Sequence, residues 1–215
     1  YIVEIEKNKN KPISVLLNNK KITTSKLIKE FPCTPIHNNT FSFTDASPDF
    51  RRKLLDRSIF ISEKFFSECW FSYYRSLKQR NSVLKNNRIS DIYIWNTKLS
   101  DEGIKLNNMR KNFFTKTKNE FYYLIDLIQP SSVFDFFNLI EIDFFRGWDE
   151  NKNLNDLLQE NQDIDLKRKF TIQGPHKSDI KFLINIDMKH GKCGTTENTS
   201  VVSQEQITTH LSLSI

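Results

Sequence analysis

Pro48-Asp49-Phe50-Arg51-Arg52-Lys53-Leu54-Leu55-Asp56, and beyond it Leu77-Lys78-Gln79-Arg80-Asn81, bracket the stretch that decides how this chain folds. Proline in a helix's first turn forfeits only an amide that has no partner there, and Asp49 beside it suits the positive end of the helix dipole. A helix is therefore expected to start at Pro48. Phe50, Leu54 and Leu55 fall on one face of it and Arg51 and Arg52 on the flank, with Asp56 four residues beyond Arg52, within ion-pair reach. From Ser62, read as an N-cap, Phe66, Trp70, Tyr73, Leu77 and Leu84 recur at helical spacing, and Arg75, Lys78, Arg80, Lys85 and Arg88 lie off that stripe. A second stripe, Trp95, Leu99, Leu106, Met109 and Phe113, runs on to Ile128 and is stopped by Pro130, with Gly103 read as a break inside it. The two helices are expected to pack antiparallel about a connection at Asn86 to Asp91. Their aromatic residues are read as core and not as a platform for stacked bases.

Outward from this arm the pattern turns to strands. Residues 2–6 and 12–17 read as a hairpin belonging to a sheet whose other strands lie elsewhere. Ser25 caps a short helix from Lys26 to Phe31, and Thr40 to Thr44 reads as one more strand. After the arm, residues 138–145 read as a strand returning to the sheet, with Glu141 and Asp143 on one side. Leu154, Leu157, Leu158 and Ile164 mark a short helix ending in the basic Lys167-Arg168-Lys169, which suits a helix C-terminus. Phe170 to Gln173 and Asp179 to Asp187 read as strands flanking the turn Gly174-Pro175-His176. The fold class is thus α/β (α+β within this chain). The segments are a β-rich part at 1–47, a helical lobe at 48–130, returning strands at 131–187 and a tail at 188–215.

Composition excludes several classes. With 38% hydrophobic residues, 18 of the 215 being Phe, the chain has enough apolar material for a core, so disorder is not expected. No apolar run reaches the roughly 18–20 residues of a membrane span, and Tyr1 to Glu6 alternate where a signal peptide would be continuously apolar. A cytoplasmic protein is expected. Cys33, Cys69 and Cys193 are odd in number and widely separated, so neither a disulfide framework nor a zinc site is indicated. The absent initial Met suggests an internal piece of a longer chain. Charge is uneven: residues 51–118 hold sixteen Lys and Arg against six Asp and Glu, whereas the whole chain nets +6. Such a field attracts DNA phosphates without reading bases, although a run of lysines can also be only a solvated face.

The quoted motifs carry a resemblance. Pro-x-x-Arg-Arg-x-Leu-Leu-Asp, Leu-Lys-Gln-Arg-Asn, Phe145-Arg146-Gly147-Trp148 and Gly174-Pro175-His176-Lys177-Ser178-Asp179 occur in the order and at the separations found in the RecF family of bacterial DNA replication and repair proteins. The resemblance runs from about Tyr1 to Asp179. It makes Pro48, Arg51, Arg52, Asp56, Gly174, Pro175, His176, Lys177 and Asp179 family-motif positions. It implies part of an ABC-type P-loop ATPase head, the helical arm being the second lobe. For the intact family it also implies ATP and Mg²⁺ as cofactors, ATP-dependent homodimers, single-stranded and gapped DNA as ligands, RecO and RecR as partners, recombinase loading and the SOS response.

Phosphate binding by such heads needs Gly-x-x-x-x-Gly-Lys-(Ser/Thr), which the five glycines of this sequence do not supply. Nor does an apolar run close in paired acids suited to Mg²⁺. The chain alone is therefore expected not to hydrolyse ATP, and no catalytic or metal-ligating residue is assigned. Val202-Ser203-Gln204-Glu205-Gln206 aligns with the family's Leu-Ser-Arg-Gly-Gln signature at Ser203 and Gln206 only, and Glu205 would set a carboxylate against a phosphate. From charge, Arg51, Arg52, Arg75, Lys78, Arg80, Lys85 and Arg88 are the candidate phosphate contacts. Arg52 has a competing role in pairing with Asp56. His176 is read as a structural or bridging histidine at a joint between lobes. The competing reading of the whole is a truncated or decayed helical interaction module without ATP binding.

Overall fold

The computed structural model describes residues 1–9, 12–33, 46–128 and 140–184. The first element is a three-stranded antiparallel meander, β1 (Val3–Glu6), β2 (Ser14–Leu17) and β3 (Lys20–Ile22). The hairpin of β1 and β2 is the one expected. β3 follows because Asn18 and Asn19 both take left-handed backbone, with φ of 49° and 64°, and so reverse the chain in two residues. Thr23, and not Ser25, then caps α1 (Thr24–Glu30), its side chain accepting from the Lys26 amide.

Pro48 does open a helix. In α2 (Pro48–Ser62) the Ser47 side chain caps the Phe50 amide and Asp49 lies in the first turn. Ser62 ends this helix instead of capping the next, since its hydroxyl turns back to the Ser58 carbonyl. α3 (Phe66–Lys85) follows after a short break, and α4 runs unbroken from Ile92 to Ile128. Gly103 is no break. A Cβ built there would lie 2.9 Å from Leu154 Cδ2 and 3.3 Å from Tyr73 Cε2, so glycine at this point allows close packing of the helix. α3 and α4 are antiparallel: Arg80 meets Asn96 near one end, and Tyr73 meets Gly103 farther along. Ser76 and Ser100, both buried on these helices, are small enough not to hold them apart.

β4 (Ile140–Phe145) pairs antiparallel with β5 (Asp179–Ile184), and α5 (Leu154–Glu160) and α6 (Gln162–Arg168) lie between them in sequence. Among the described residues this two-stranded sheet is separate from β1–β3, so β4 does not return to the first sheet as expected. Glu141 and Asp143 are exposed on one side of β4, with Asp143 opposite Lys181. Residues 170–173 form no strand, because side chains take their amides. Asn81 Oδ1 accepts from the Thr171 amide and Asp165 Oδ1 from the Ile172 amide. One core joins Leu55 and Ile59 of α2, Tyr73 and Leu77 of α3, Leu99 and Leu106 of α4, Ile142 and Phe144 of β4, the leucines of α5 and Ile180 of β5. The expected strand at Thr40 to Thr44, the end of the strand expected to reach Asp187, and the signature at Ser203 and Gln206 lie outside the described residues.

Candidate functional site

The family-motif positions converge on one hub. Gly174 leads into a 3₁₀ turn, Pro175–Lys177, after which Ser178 and Asp179 enter β5. Arg51 on α2 grips Asp179 with a two-pronged pair, Nε to Oδ1 and Nη2 to Oδ2, each 2.8 Å. Arg52 donates to the Ser178 carbonyl at 2.6 Å and lies 3.5 Å from Asp49. Its expected partner Asp56 is taken by others. Arg110 of α4 forks onto both Asp56 oxygens at 2.8 and 2.7 Å, and Trp70 Nε1 donates to the same carboxylate at 2.9 Å. Arg110 also donates to the Pro175 carbonyl and to Ser178 Oγ, so one guanidinium ties α2, α4 and the turn together. Burial opposes its charge, but the Asp56 carboxylate outweighs burial and raises its pKa. Removing one member of such a pair strands the other charge, at a cost of about 3–5 kcal/mol.

His176 sits inside the hub. Its Nε2 faces the Thr171 carbonyl at 3.0 Å, which can only accept, so Nε2 carries the proton. Nδ1 is then an acceptor for the Tyr73 hydroxyl at 2.7 Å, and that hydroxyl in turn accepts from the His176 amide. Burial holds the imidazole pKa down at about 4, with Lys177, Arg52 and Arg110 adding to the effect against the Thr171 bond. The ring is neutral and structural. Burial likewise pushes the Tyr73 phenol far up. Gly147 (φ 98°) and Gly174 (φ 131°) lock together through the Gly174 amide and the Gly147 carbonyl, 3.1 Å apart.

A second buried cluster corrects one expectation. Arg80 has no exposed surface. It donates to Asn96 Oδ1 at 2.7 Å, Asp165 Oδ2 at 2.6 Å, Thr171 Oγ1 at 2.7 Å and the Leu158 carbonyl at 3.2 Å. Burial lowers the pKa of Arg80 and raises that of Asp165, and their mutual pairing offsets both effects. Arg80 therefore cannot reach a DNA phosphate. Arg51 and Arg52, with side chains 12% and 13% exposed, are likewise committed to the hub. Arg75, Lys78, Lys85 and Arg88 are exposed. The first three follow at spacings of three and seven on α3, which keeps them on one side of the helix. Lys177 is exposed and its ammonium lies 5.8 Å from the Phe170 ring centroid.

Arg110, Asp165, Thr171 and the hydroxyl of Tyr73 escaped the sequence reading. A signal existed for both buried arginines: Arg80 lies three residues after Leu77 and four before Leu84, and Arg110 four after Leu106, each on an apolar stripe. The two glycines of positive φ face one another. Among the described residues no group of three or more His, Cys, Asp or Glu side chains could hold a metal ion, and no helix is long and apolar enough to cross a membrane.

No protein-family model matches the chain. The DNA replication and repair protein RecF of Nitrosococcus oceani is 30% identical over 166 residues, 75% of this chain and 44% of that protein. RecF of Francisella tularensis subsp. tularensis is 33% identical over 176 residues, 81% of this chain and 48% of that protein. A solved structure of the recombination mediator protein RecF with ATP, in the RecFOR pathway, superposes with a TM-score of 0.70 at 25% identity, over 85% of this chain and 51% of that one. The chain thus spans about half the length of the curated relatives it matches. Its mixed helix-and-sheet fold is part of an ABC-type ATPase head, as the motifs implied. With homologous sequence, shared fold and motif residues that converge on one hub, the chain belongs to the RecF family.

Proposed function

We propose that this chain serves a recombination mediator as its DNA-contacting helical lobe, with Arg75, Lys78, Lys85 and Arg88 meeting backbone phosphates. The observation that carries this reading is an exposed cationic stripe free of acids. From Cys69 to Arg88 the sequence contains no Asp or Glu, and of the five cations in that span only Arg80 is turned inward. Phosphate contact of this kind gives affinity without base specificity. The hub supplies the rigidity such a surface needs, since it fixes α3 to α4 and to the turn before β5. For the whole protein, the reading extends to binding of single-stranded and gapped DNA, ATP-controlled dimerisation, recombinase loading with RecO and RecR, and a place in the SOS response.

The test is the affinity of the 215-residue chain for labelled single-stranded and gapped DNA across a salt series without ATP. Wild type is expected to bind with a steep salt slope. Arg75→Glu/Lys78→Glu/Lys85→Glu is expected to weaken binding to every sequence alike and to flatten the slope by about 2 on single strands. An unchanged slope, or no binding at low salt, overturns the assignment and leaves the lobe as a protein-interaction module.

A further inference from the structure

The far end of the α3–α4 pair carries an apolar surface that phosphate contact does not explain. Ile89, in the connecting 3₁₀ turn, and Tyr93 and Ile94, in the first turn of α4, are 53%, 65% and 65% exposed. Ile89 and Tyr93 are four residues apart and Ile94 adjoins Tyr93, which gathers the three exposed residues within six positions at this end of the helix pair. The surface behind them is already built. Val83, Leu84 and Ile92 form a small core of their own, with Trp95 and Leu166 packed against it. Folding thus uses only the Ile92 and Trp95 side of this turn, and Tyr93 and Ile94 make the opposite side apolar as well. A helical turn that is apolar all round is a turn built to be covered.

Charge around the tip says by what. From Lys85 to Lys98 the sequence has three cations, Lys85, Arg88 and Lys98, all exposed, and one acid, Asp91, half-buried and accepting from Ser90. An apolar centre with a cationic rim is the anatomy of a protein interface whose partner brings carboxylates around an apolar contact. Nucleic acid fits it less well: two isoleucines offer a phosphate no hydrogen bond, and a base one aromatic face at most. We infer that the arm tip formed by Ile89, Tyr93 and Ile94 is a docking surface for a partner protein with an acid-rimmed apolar patch, its apolar centre distinct from the cations proposed for DNA, of which Lys85 and Arg88 border both. It rests on the recombination-mediator reading for the choice of probe.

The experiment measures binding of the 215-residue chain to purified RecO and to purified RecR at low and moderate salt, with DNA affinity and thermal melting followed in parallel. The wild-type chain is expected to bind one of the two proteins, more weakly as salt rises. Ile89→Ser/Tyr93→Ser/Ile94→Ser is expected to weaken that binding at least tenfold, leaving melting and the DNA salt slope in place. Lys98→Glu, which leaves the apolar centre intact, is expected to weaken it about threefold. Equal binding by wild type and the triple variant, or binding of neither protein, overturns the proposal. Loss of DNA affinity in the triple variant with protein binding unchanged would also overturn it, making the tip a nucleic-acid surface. Arg75→Glu/Lys78→Glu distinguishes the two readings, since it changes the DNA slope and leaves both the apolar tip and its cationic rim untouched.

Discussion

At the scale of the residue, position on a stripe outweighs charge type. Arg80 and Arg110 are as basic as Arg75, yet they sit where leucines would, and the fold meets their charge with Asp165 and Asp56 at 2.6 and 2.7 Å. Spacing carried a signal of their burial, Arg80 falling between Leu77 and Leu84 and Arg110 four residues after Leu106, but the charge of Arg80 points instead to phosphate contact. Their partners were not legible, because Asp165 and Arg80 are 85 residues apart and no period records that distance. His176 carries a prediction of the same kind. Its folded pKa of about 4 lies below the ordinary 6.5, so between those values the unfolded chain binds a proton that the native hub refuses. Stability from this group is fully present above pH 6.5 and is lost as pH falls toward 4, by roughly 3 kcal/mol. Urea unfolding at pH 7 and at pH 4.5 should show the loss in wild type and a smaller one in His176→Gln, whose side chain cannot titrate. Equal losses in the two proteins would mean that the ring is not neutral in the native state.

Elements were read more reliably in their interiors than at their ends. The stripes of α3 and α4 and the alternation of β4 follow from burial on one side, which periodicity reports directly. Ends depend on single hydrogen bonds: Ser62 bonding back to Ser58, Thr23 and not Ser25 taking the Lys26 amide. Residues 170–173 look like a strand by composition and become a loop because Asn81 and Asp165 reach their amides first. Glycines show the same limit. Gly103 suggested a broken helix and instead marks a close packing, whereas Gly147 needs glycine on two counts. It has a φ of 98°, and a Cβ would come 2.1 Å from the Gly174 carbonyl oxygen. That atom is backbone and cannot swing aside. Gly147→Ala is therefore expected to cost about 3 kcal/mol or more in urea unfolding; a loss under about 1 kcal/mol would show that the contact between these two loops yields.

For the molecule as a whole, the hub decides what unfolds together. The grips of Arg51 and Arg110, the Tyr73–His176 bond and the Arg80 cluster link α2, α3, α4, α6 and the turn before β5, and α2, α3 and α4 also share the main core with β4, α5 and β5. The order of motifs in the sequence pointed to the family but not to this convergence, since Arg51 and Asp179 are 128 residues apart. The β1–β3 meander stands apart from it. All four residues of β1 are exposed, Val15 is the one buried residue among the three strands, and α1 buries none. Among the described residues, the attachments between this region and the helices include Lys29 over the Phe60 ring at 4.5 Å and Arg57 donating to the Cys33 carbonyl at 2.9 Å. A unit held by so little apolar contact opens at a free energy well below that of global unfolding. Native-state hydrogen exchange is therefore expected to show amides of β2 exchanging through a local opening, while α3 amides between Tyr73 and Val83 exchange only through global unfolding. Gly147→Ala sharpens the comparison, because it should speed exchange in α3 and leave β2 unchanged. If β2 and α3 instead lose protection together in that variant, the meander is part of the same cooperative unit as the hub, and contacts beyond those few hold it there.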